Sequence, residues 1–349
     1  MPAPTFPPHR SNGNNSGDGL AGRTSQGGHN NGTYHSNPPD ASSALVELQS
    51  HEFPSYFSER DGRLYHSSSS PYPLPVDTPE QERLRVLHHI LHQFLGANYV
   101  GPIPETLAFD QGRRKMALDV CTGTGIWAME MSREFPWVHF RGFDIVPIAT
   151  RYPPNNVQFE LDDVNTQYRW GNGTFDVVHA RDISLAVLDF HAVLDEVARV
   201  LRPGGLFVSC EWDPYPTFDP AYNRNLATHA PACCRFFDAV NDALDSCRGL
   251  RPIPELIPSI LESKGCFTAI SPRTLYIPIG AWRADPAWRS IGVDCRRAHQ
   301  RYADSIKPLL IEAGWTQNGL DRLVGEYVRE MDSLNGLVAV IHIVHARKI

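Results

Sequence analysis

The stretch MALDVCTGTGIWAMEM, residues 116–131, decides how this chain is read. Apolar residues run up to Asp119, the chain turns small through Cys-Thr-Gly-Thr-Gly, and an apolar, helix-compatible segment follows at once. A strand that ends in a glycine turn and feeds a helix is a ligand-binding junction. In open α/β sheets ligands sit beyond the carboxyl ends of the strands, near the switch point. Gly123 and Gly125 have no Cβ, so backbone can approach a ligand and adopt dihedrals closed to other residues. The helix behind them offers unpaired N–H groups. Taken alone, G-T-G-I-W-A also fits the dinucleotide fingerprint G-x-G-x-x-G/A, a weak match by itself.

Acids at three strand ends discriminate between the possible ligands. Asp119 lies just before the turn, where a carboxylate attracts an ammonium group and repels a pyrophosphate. Asp144 ends the next strand, in RGFDI, and is placed to accept hydrogen bonds from ribose hydroxyls. Asp162 and Asp163 follow a third strand, where one carboxylate can accept from an adenine amino group, Asp163 being the better placed. A ligand with an amino-acid end, a ribose and an adenine satisfies all three sites. That ligand is S-adenosylmethionine (SAM).

Outward from the turn, KMALDV, HFRGFDI, VQFEL, FDVVHA and LFVSCEW read as strands. GIWAMEMSREF and AVLDFHAVLDEVARVL read as helices between them. Such alternation with short connections implies a parallel sheet covered on both faces. Upstream, Thr78 as N-cap, Pro79 and Gln81 predict the start of a helix with a capping box. Its buried face is Leu84, Leu87, Leu91 and Phe94 or Leu95. His88, His89 and His92 share this helix without a carboxylate in a known metal pattern. Downstream, residues 222–248 predict one helix, IPELIPSILESKG another, and Leu320 to Met331 a third. CFTAISPRTLYIPIG and GLVAVIHIVHARK read as strands. Residues 1–44 are rich in Gly, Asn, Ser and Pro and poor in large apolar residues, which predicts a disordered tail.

The bulk numbers narrow the class. A net charge of −7 gives no global basic field for direct nucleic-acid binding. No apolar run approaches the roughly 20 residues of a membrane span, and the N-terminus lacks the apolar core of a secretory signal. The seven cysteines show no C-x-x-C spacing. They read as reduced thiols of a cytoplasmic or nuclear protein.

LDVCTGTGIWAMEM resembles the glycine motif of class I SAM-dependent methyltransferases, and more narrowly that of the fungal LaeA-like group. The resemblance extends over five further blocks in order: LYHSSSSPYPLPVDTPEQERLRVLHHIL, FELDDV, FDVVHARD, VLDEVARVLRPGGLFVSCEW and YIPIGAW. It implies a Rossmann-like fold with a mostly parallel seven-stranded sheet, helices on both faces and helical additions. A lead-in and lid would span residues 45–114. The SAM-binding domain would span 115–349, with helical insertions around 217–264 and 281–335. The resemblance also implies roles. Asp119, Cys121, Thr122, Gly123, Thr124 and Gly125 should line the methionine end of the cofactor. Asp144 should hold the ribose, Ile145 the adenine face, and Asp162, Asp163 and Val164 the adenine edge. Ala180 and Arg181 should lie near the sulfonium, with Tyr65 and Tyr72 folding over it as a lid. Cys121 stands where the family has its first glycine, and must avoid positive φ or bear strain.

Methyl transfer from a sulfonium is an in-line displacement that requires no metal, and a base is needed only when the acceptor must lose a proton. His179, Asp182, Glu211 and His229 are the candidates, none of them singled out by the sequence. Phe236, Phe237, Trp282, Trp288 and Trp315 are candidates for an apolar acceptor pocket. The acceptor would be a small secondary metabolite or a protein side chain. A second expectation is a regulatory SAM-binding protein that acts through nuclear protein partners. A nicotinamide-dependent oxidoreductase is the third.

Overall fold

Five near-continuous apolar strands and the helices between them wind into one sheet. The computed structural model describes residues 45–349, and the tail expected over 1–44 lies outside them. A hairpin comes first, β1 (Phe57–Arg60) and β2 (Arg63–His66), then the lead-in helix α1 (Thr78–Leu95) and the single turn α2 (Ile103–Thr106). The alternating part is β3 (Lys115–Val120), α3 (Ile126–Glu134), β4 (Val138–Asp144), β5 (Val157–Leu161), β6 (Phe175–Arg181), α4 (Phe190–Val200) and β7 (Leu201–Trp212). Next come β8 (Thr217–Phe218), α5 (Leu226–His229), α6 (Pro231–Arg248), α7 (Ile257–Ser263) and β9 (Phe267–Pro278). The last elements are α8 (Pro286–Ser305), α9 (Lys307–Glu312), α10 (Gln317–Ser333) and β10 (Leu337–Lys348).

The parallel strands lie in the order β5-β4-β3-β6-β7, with β10 antiparallel to β7 and β9 antiparallel to β10. These are the seven strands expected of a Rossmann-like methyltransferase sheet. The two-residue β8, paired with the start of β10, is an eighth. From β3 the chain steps outward to β4 and β5, then crosses back to β6 on the other side of β3. The order reverses there, and the ligand crevice of such sheets lies at the strand ends of that reversal.

Successive strand residues point to opposite faces, and here both faces are dry. Ala117 joins Trp127, Phe140, Val177 and Val208 in one cluster. Its neighbour Leu118 joins Phe190, Val193, Val197 and Phe207 in another. A third core gathers the added helices α6, α8, α9 and α10, with Phe236 stacked on Tyr327 at 4.3 Å.

Two expectations shift in detail. Helix α1 is capped by Asp77, not Thr78: the Asp77 carboxylate accepts from Glu80 N at 3.2 Å and is itself held by Arg63. Gln81 donates to Val76 O, so no capping box forms. The helix expected over 222–248 is two helices. Pro231 has no N–H and disfavours helical dihedrals in the residue before it. Ala230 accordingly sits at φ −142°, ψ 60°, between α5 and α6.

The two glycines of the turn do different work. Gly125 has φ 75°, and a Cβ built on it would lie 2.3 Å from Phe159 Cζ. The room it makes is for an aromatic ring of β5, which corrects the expectation that both glycines clear space for a ligand. Gly125→Ala should therefore cost about 2–4 kcal/mol, from overpacking and left-handed strain together. Chemical denaturation checks this, and Phe159→Ala in the same chain should recover the steric part only. Additive losses in the double variant would remove Phe159 as the cause.

Candidate active site

A cleft opens at the carboxyl ends of β3, β4 and β6, and α1 with the segment before it supplies a further wall. Asp119 is buried at the end of β3. Its Oδ2 accepts from Thr122 Oγ1 at 2.6 Å, and its Oδ1 from His179 Nδ1 at 2.7 Å. His179 lies flat against Trp127, ring centroids 3.8 Å apart. Burial lowers its pKa, so the ring is neutral with its proton on Nδ1. His179, a candidate base, thus orients Asp119.

The turn after β3 is left-handed three times, at Cys121 (φ 52°), Gly123 (φ 56°) and Gly125 (φ 75°). The Gly123 N–H donates to Asp144 Oδ2 at 2.8 Å and ties the turn to the end of β4. A Cβ on Gly123 would meet nothing within 4 Å, so this glycine faces the open cleft. Cys121 bears the strain, roughly 1–2 kcal/mol for a residue with a Cβ. Burial pushes its thiol pKa well up, so it is uncharged. Burial also pushes Asp144 up to about 6, against the backbone donors that favour its charge.

Asp119, Cys121, Thr122, Gly123, Thr124, Asp144, Ile145, Val164, Arg181 and Tyr72 line this one cleft. Five expected residues do not. Gly125 is packed under Phe159, and Ala180 is buried within the sheet. Asp162 Oδ1 accepts from Asp163 N, while Asp163 Oδ1 accepts from the backbone and side-chain nitrogens of Asn165. Those local turns engage one oxygen of each acid. Tyr65 is buried in the hairpin with the Arg60 guanidinium 5.3 Å from its ring centroid.

Arg181 Nη2 donates to His88 Nδ1 at 2.9 Å, so His88 carries its proton on Nε2 and donates to Glu130 at 3.0 Å. Burial and the Arg181 charge lower the His88 pKa. His89 contacts Gln93. Among the described residues no group of three or more His, Cys, Asp or Glu side chains is placed to hold a metal. None of their helices is long and apolar enough to cross a membrane.

The corner after β6 is clamped from β7. Asp182 N donates to Cys210 O at 3.0 Å, and buried Glu211 accepts from Ile183 N, Ser184 N and Ser184 Oγ. Burial still pushes Glu211 up to about 8. Asp182 itself is left-handed, φ 58°. Burial pushes its carboxyl up to about 6, although the Arg83 and Arg181 charges pull the other way. His229 is exposed at the end of α5. Among the aromatic candidates, Phe237 lines a second cavity that adjoins the cleft. Trp282 is bonded to Leu337 O, and Trp288 packs edge-on against Phe94.

Sequence reasoning missed Glu80, which lines the cleft, Arg83, which lines the second cavity, and Trp212, which lines both. The i,i+3 spacing of Glu80 and Arg83, a pair buried on α1, was the available signal.

Cys121→Gly should raise stability by roughly 0.5–1 kcal/mol, the strain relieved less the added backbone entropy, read as a higher melting temperature. An unchanged or lower value would show that the left-handed turn carries no penalty. For Asp182 the folded pKa of about 6 lies above its ordinary 3.8. Its contribution to stability is therefore full below about pH 4 and is lost as pH rises through about 6. The neutral isostere Asp182→Asn should melt higher than the natural chain at pH 8, by on the order of 1 kcal/mol, and equal it near pH 4. A pH-independent difference would contradict this.

Residues 88–244 match the methyltransferase domain family. The chain is 30% identical over 285 residues to the secondary metabolism regulator laeA of Coprinopsis cinerea, covering 80% of this chain and 68% of that protein. It is 28% identical to methyltransferase pytC of Aspergillus terreus, covering 67% of this chain and 69% of that one. To the protein-methionine methyltransferase laeA of Emericella nidulans it is 26% identical, over 84% of this chain and 76% of that one.

Proposed function

The chain belongs to the LaeA-like group of class I SAM-dependent methyltransferases, and from that premise we propose how its cleft is used and what it methylates. It is a SAM-dependent enzyme. The observation that carries the proposal is the meeting of Asp119, the open Gly123 and Asp144 in one cleft, at the point where the strand order reverses. Each carboxylate oxygen has more acceptor capacity than its present partners use. This set of acceptors suits a cation with hydroxyls and an apolar ring, and a pyrophosphate would meet two acids.

Bound SAM supplies a methyl group already activated on sulfur. In our reading Asp119 holds the ammonium end, in an orientation fixed by His179 and Thr122. Asp144 accepts from the ribose hydroxyls. Ile145 and Val164 pack against the adenine. Tyr72 covers the cleft with its ring, a favourable neighbour for a sulfonium, worth on the order of 0.5–2 kcal/mol. Arg181 sets the far side through His88 and Glu130. The acceptor is a small secondary metabolite or a protein side chain, and the enzyme works in the cytoplasm or nucleus. Regulation through protein partners is a second reading, favoured by the Coprinopsis cinerea relative, a secondary metabolism regulator.

Titration calorimetry tests the cofactor assignment. SAM should bind and NAD should not; the reverse result would end the reading. Asp144→Ala should weaken SAM binding by roughly 1.5–3 kcal/mol, the loss of charge-assisted hydrogen bonds. Unaltered affinity would remove Asp144 from the site. For the regulatory reading, a SAM-blind variant that still captures the same partners and keeps full cellular function would favour the scaffold over the catalyst.

A further inference from the structure

The cleft does not end at the strand tips. A second cavity adjoins it, and the two share Leu87, Asp182 and Trp212. The second cavity is walled by rings and aliphatic chains, Trp212, Tyr215, Phe237, Val240, Leu244 and Tyr302 among them. These come from the end of β7 and the segment after it, and from the added helices α6 and α8. We propose that this cavity holds the methyl acceptor, that the acceptor is a small, flat, largely apolar molecule with one acidic hydroxyl (a phenol or an enol), and that Asp182 takes the hydroxyl proton. The proposal rests on the first cleft being the SAM site.

Position singles out Asp182. Its carboxylate stands on the threshold between the two cavities and makes no hydrogen bond to any described residue. Every other acid at this corner is engaged. Glu80 binds Arg83 and Ser305, Glu211 is held by the 183–184 corner, and Asp213 accepts from Tyr215 N and His342 Nε2. A residue held left-handed and clamped by its neighbours, yet with a free carboxylate, has the character of a functional group. Its raised pKa leaves it a competent proton acceptor at neutral pH.

Charge selects the acceptor. Arg83 lines the second cavity and Arg181 the cleft, and the fields of both reach Asp182, as does that of Glu80. An ammonium acceptor would bring a further positive charge beside Arg83, with Arg181 across the threshold in the cleft. A hydroxyl becoming an oxyanion would be stabilised by them. A thioether has no proton to give and no use for a base. His299, also in the wall, is neutral: its Nδ1–H donates to Cys295 O and burial lowers its pKa to about 4. In the transfer the acceptor oxygen bonds to the methyl carbon as the carbon–sulfur bond breaks. The electron pair of that bond stays on sulfur, which becomes the neutral thioether of S-adenosylhomocysteine. The hydroxyl proton passes to the Asp182 carboxylate.

The probe is 2-naphthol, a flat apolar molecule with one hydroxyl that becomes strongly acidic on excitation. It is titrated into the full chain loaded with S-adenosylhomocysteine. It should bind saturably, and a larger side chain in the cavity, Leu185→Trp or Val240→Phe, should weaken it by about ten-fold or more, an overpacking cost of more than roughly 1.4 kcal/mol. S-adenosylhomocysteine should bind both variants as before, which also reports that they fold. Bound naphthol should emit as naphtholate, because Asp182 accepts its proton, and in Asp182→Asn it should emit as the neutral form. Naphthol binding that ignores both filling variants overturns the cavity assignment. Naphtholate emission that survives Asp182→Asn overturns the base. If the natural chain fails to bind S-adenosylhomocysteine, the cofactor reading falls and takes this proposal with it.

Discussion

The hydrogen bond from the Gly123 amide to Asp144 is the contact on which the site depends. It joins the turn after β3 to the end of β4, two strands already paired in parallel register. The turn has three left-handed residues, one of them a cysteine. A backbone so strained persists only where its surroundings hold it. Asp144 fixes one side of the turn, Asp119 through Thr122 fixes the other, and Phe159 closes the back over Gly125. The acids that suit a cationic ligand are therefore also the anchors of the cradle that would receive it. A cradle set in advance gives up little ordering entropy on binding.

Electrostatics around the cleft follow from burial. Asp144, Asp182 and Glu211 are all pushed above the ordinary carboxylate range by their removal from water. Arg83 and Arg181 offset part of that for Asp182. Asp144 has no such partner among the causes of its shift, where Asp119 adds a like charge. A ligand that brings positive charge into this cleft lowers the cost of keeping these acids ionised. The same logic explains why the nearby histidines, His88 and His179, are neutral. Each sits in a dry place with its protons assigned by its partners.

Much of the sheet was legible because its strands are buried on both faces and each helix between them shows a single apolar stripe. Local chemistry misled at helix starts. Thr78 and Gln81 carry a capping signal, but Arg63, 14 residues before Asp77, makes Asp77 the cap. Pro231 should have broken the helix over 222–248 on local grounds alone. At the site, Asp119, Gly123 and Asp144 could be placed because each stands at a strand end beside the turn. Asp162 and Asp163 stand at a strand end too, yet Asn165 and Thr166 draw their oxygens into local turns. Strand position shows where a carboxylate begins, and its nearest donors decide where it points.

The sequence by itself determined the order of strands and helices, the glycine turn and the acids beside it, because periodicity and backbone permission are local properties. Only the tertiary structure decided that Gly125 yields to Phe159, that His179 serves Asp119, and that Asp182 stands between two cavities. Those outcomes depend on residues far apart in the sequence, brought together by the closing of the sheet and the docking of α1, α6 and α8 on it. No local pattern carries that information, because it arises when surfaces compete for the same burial.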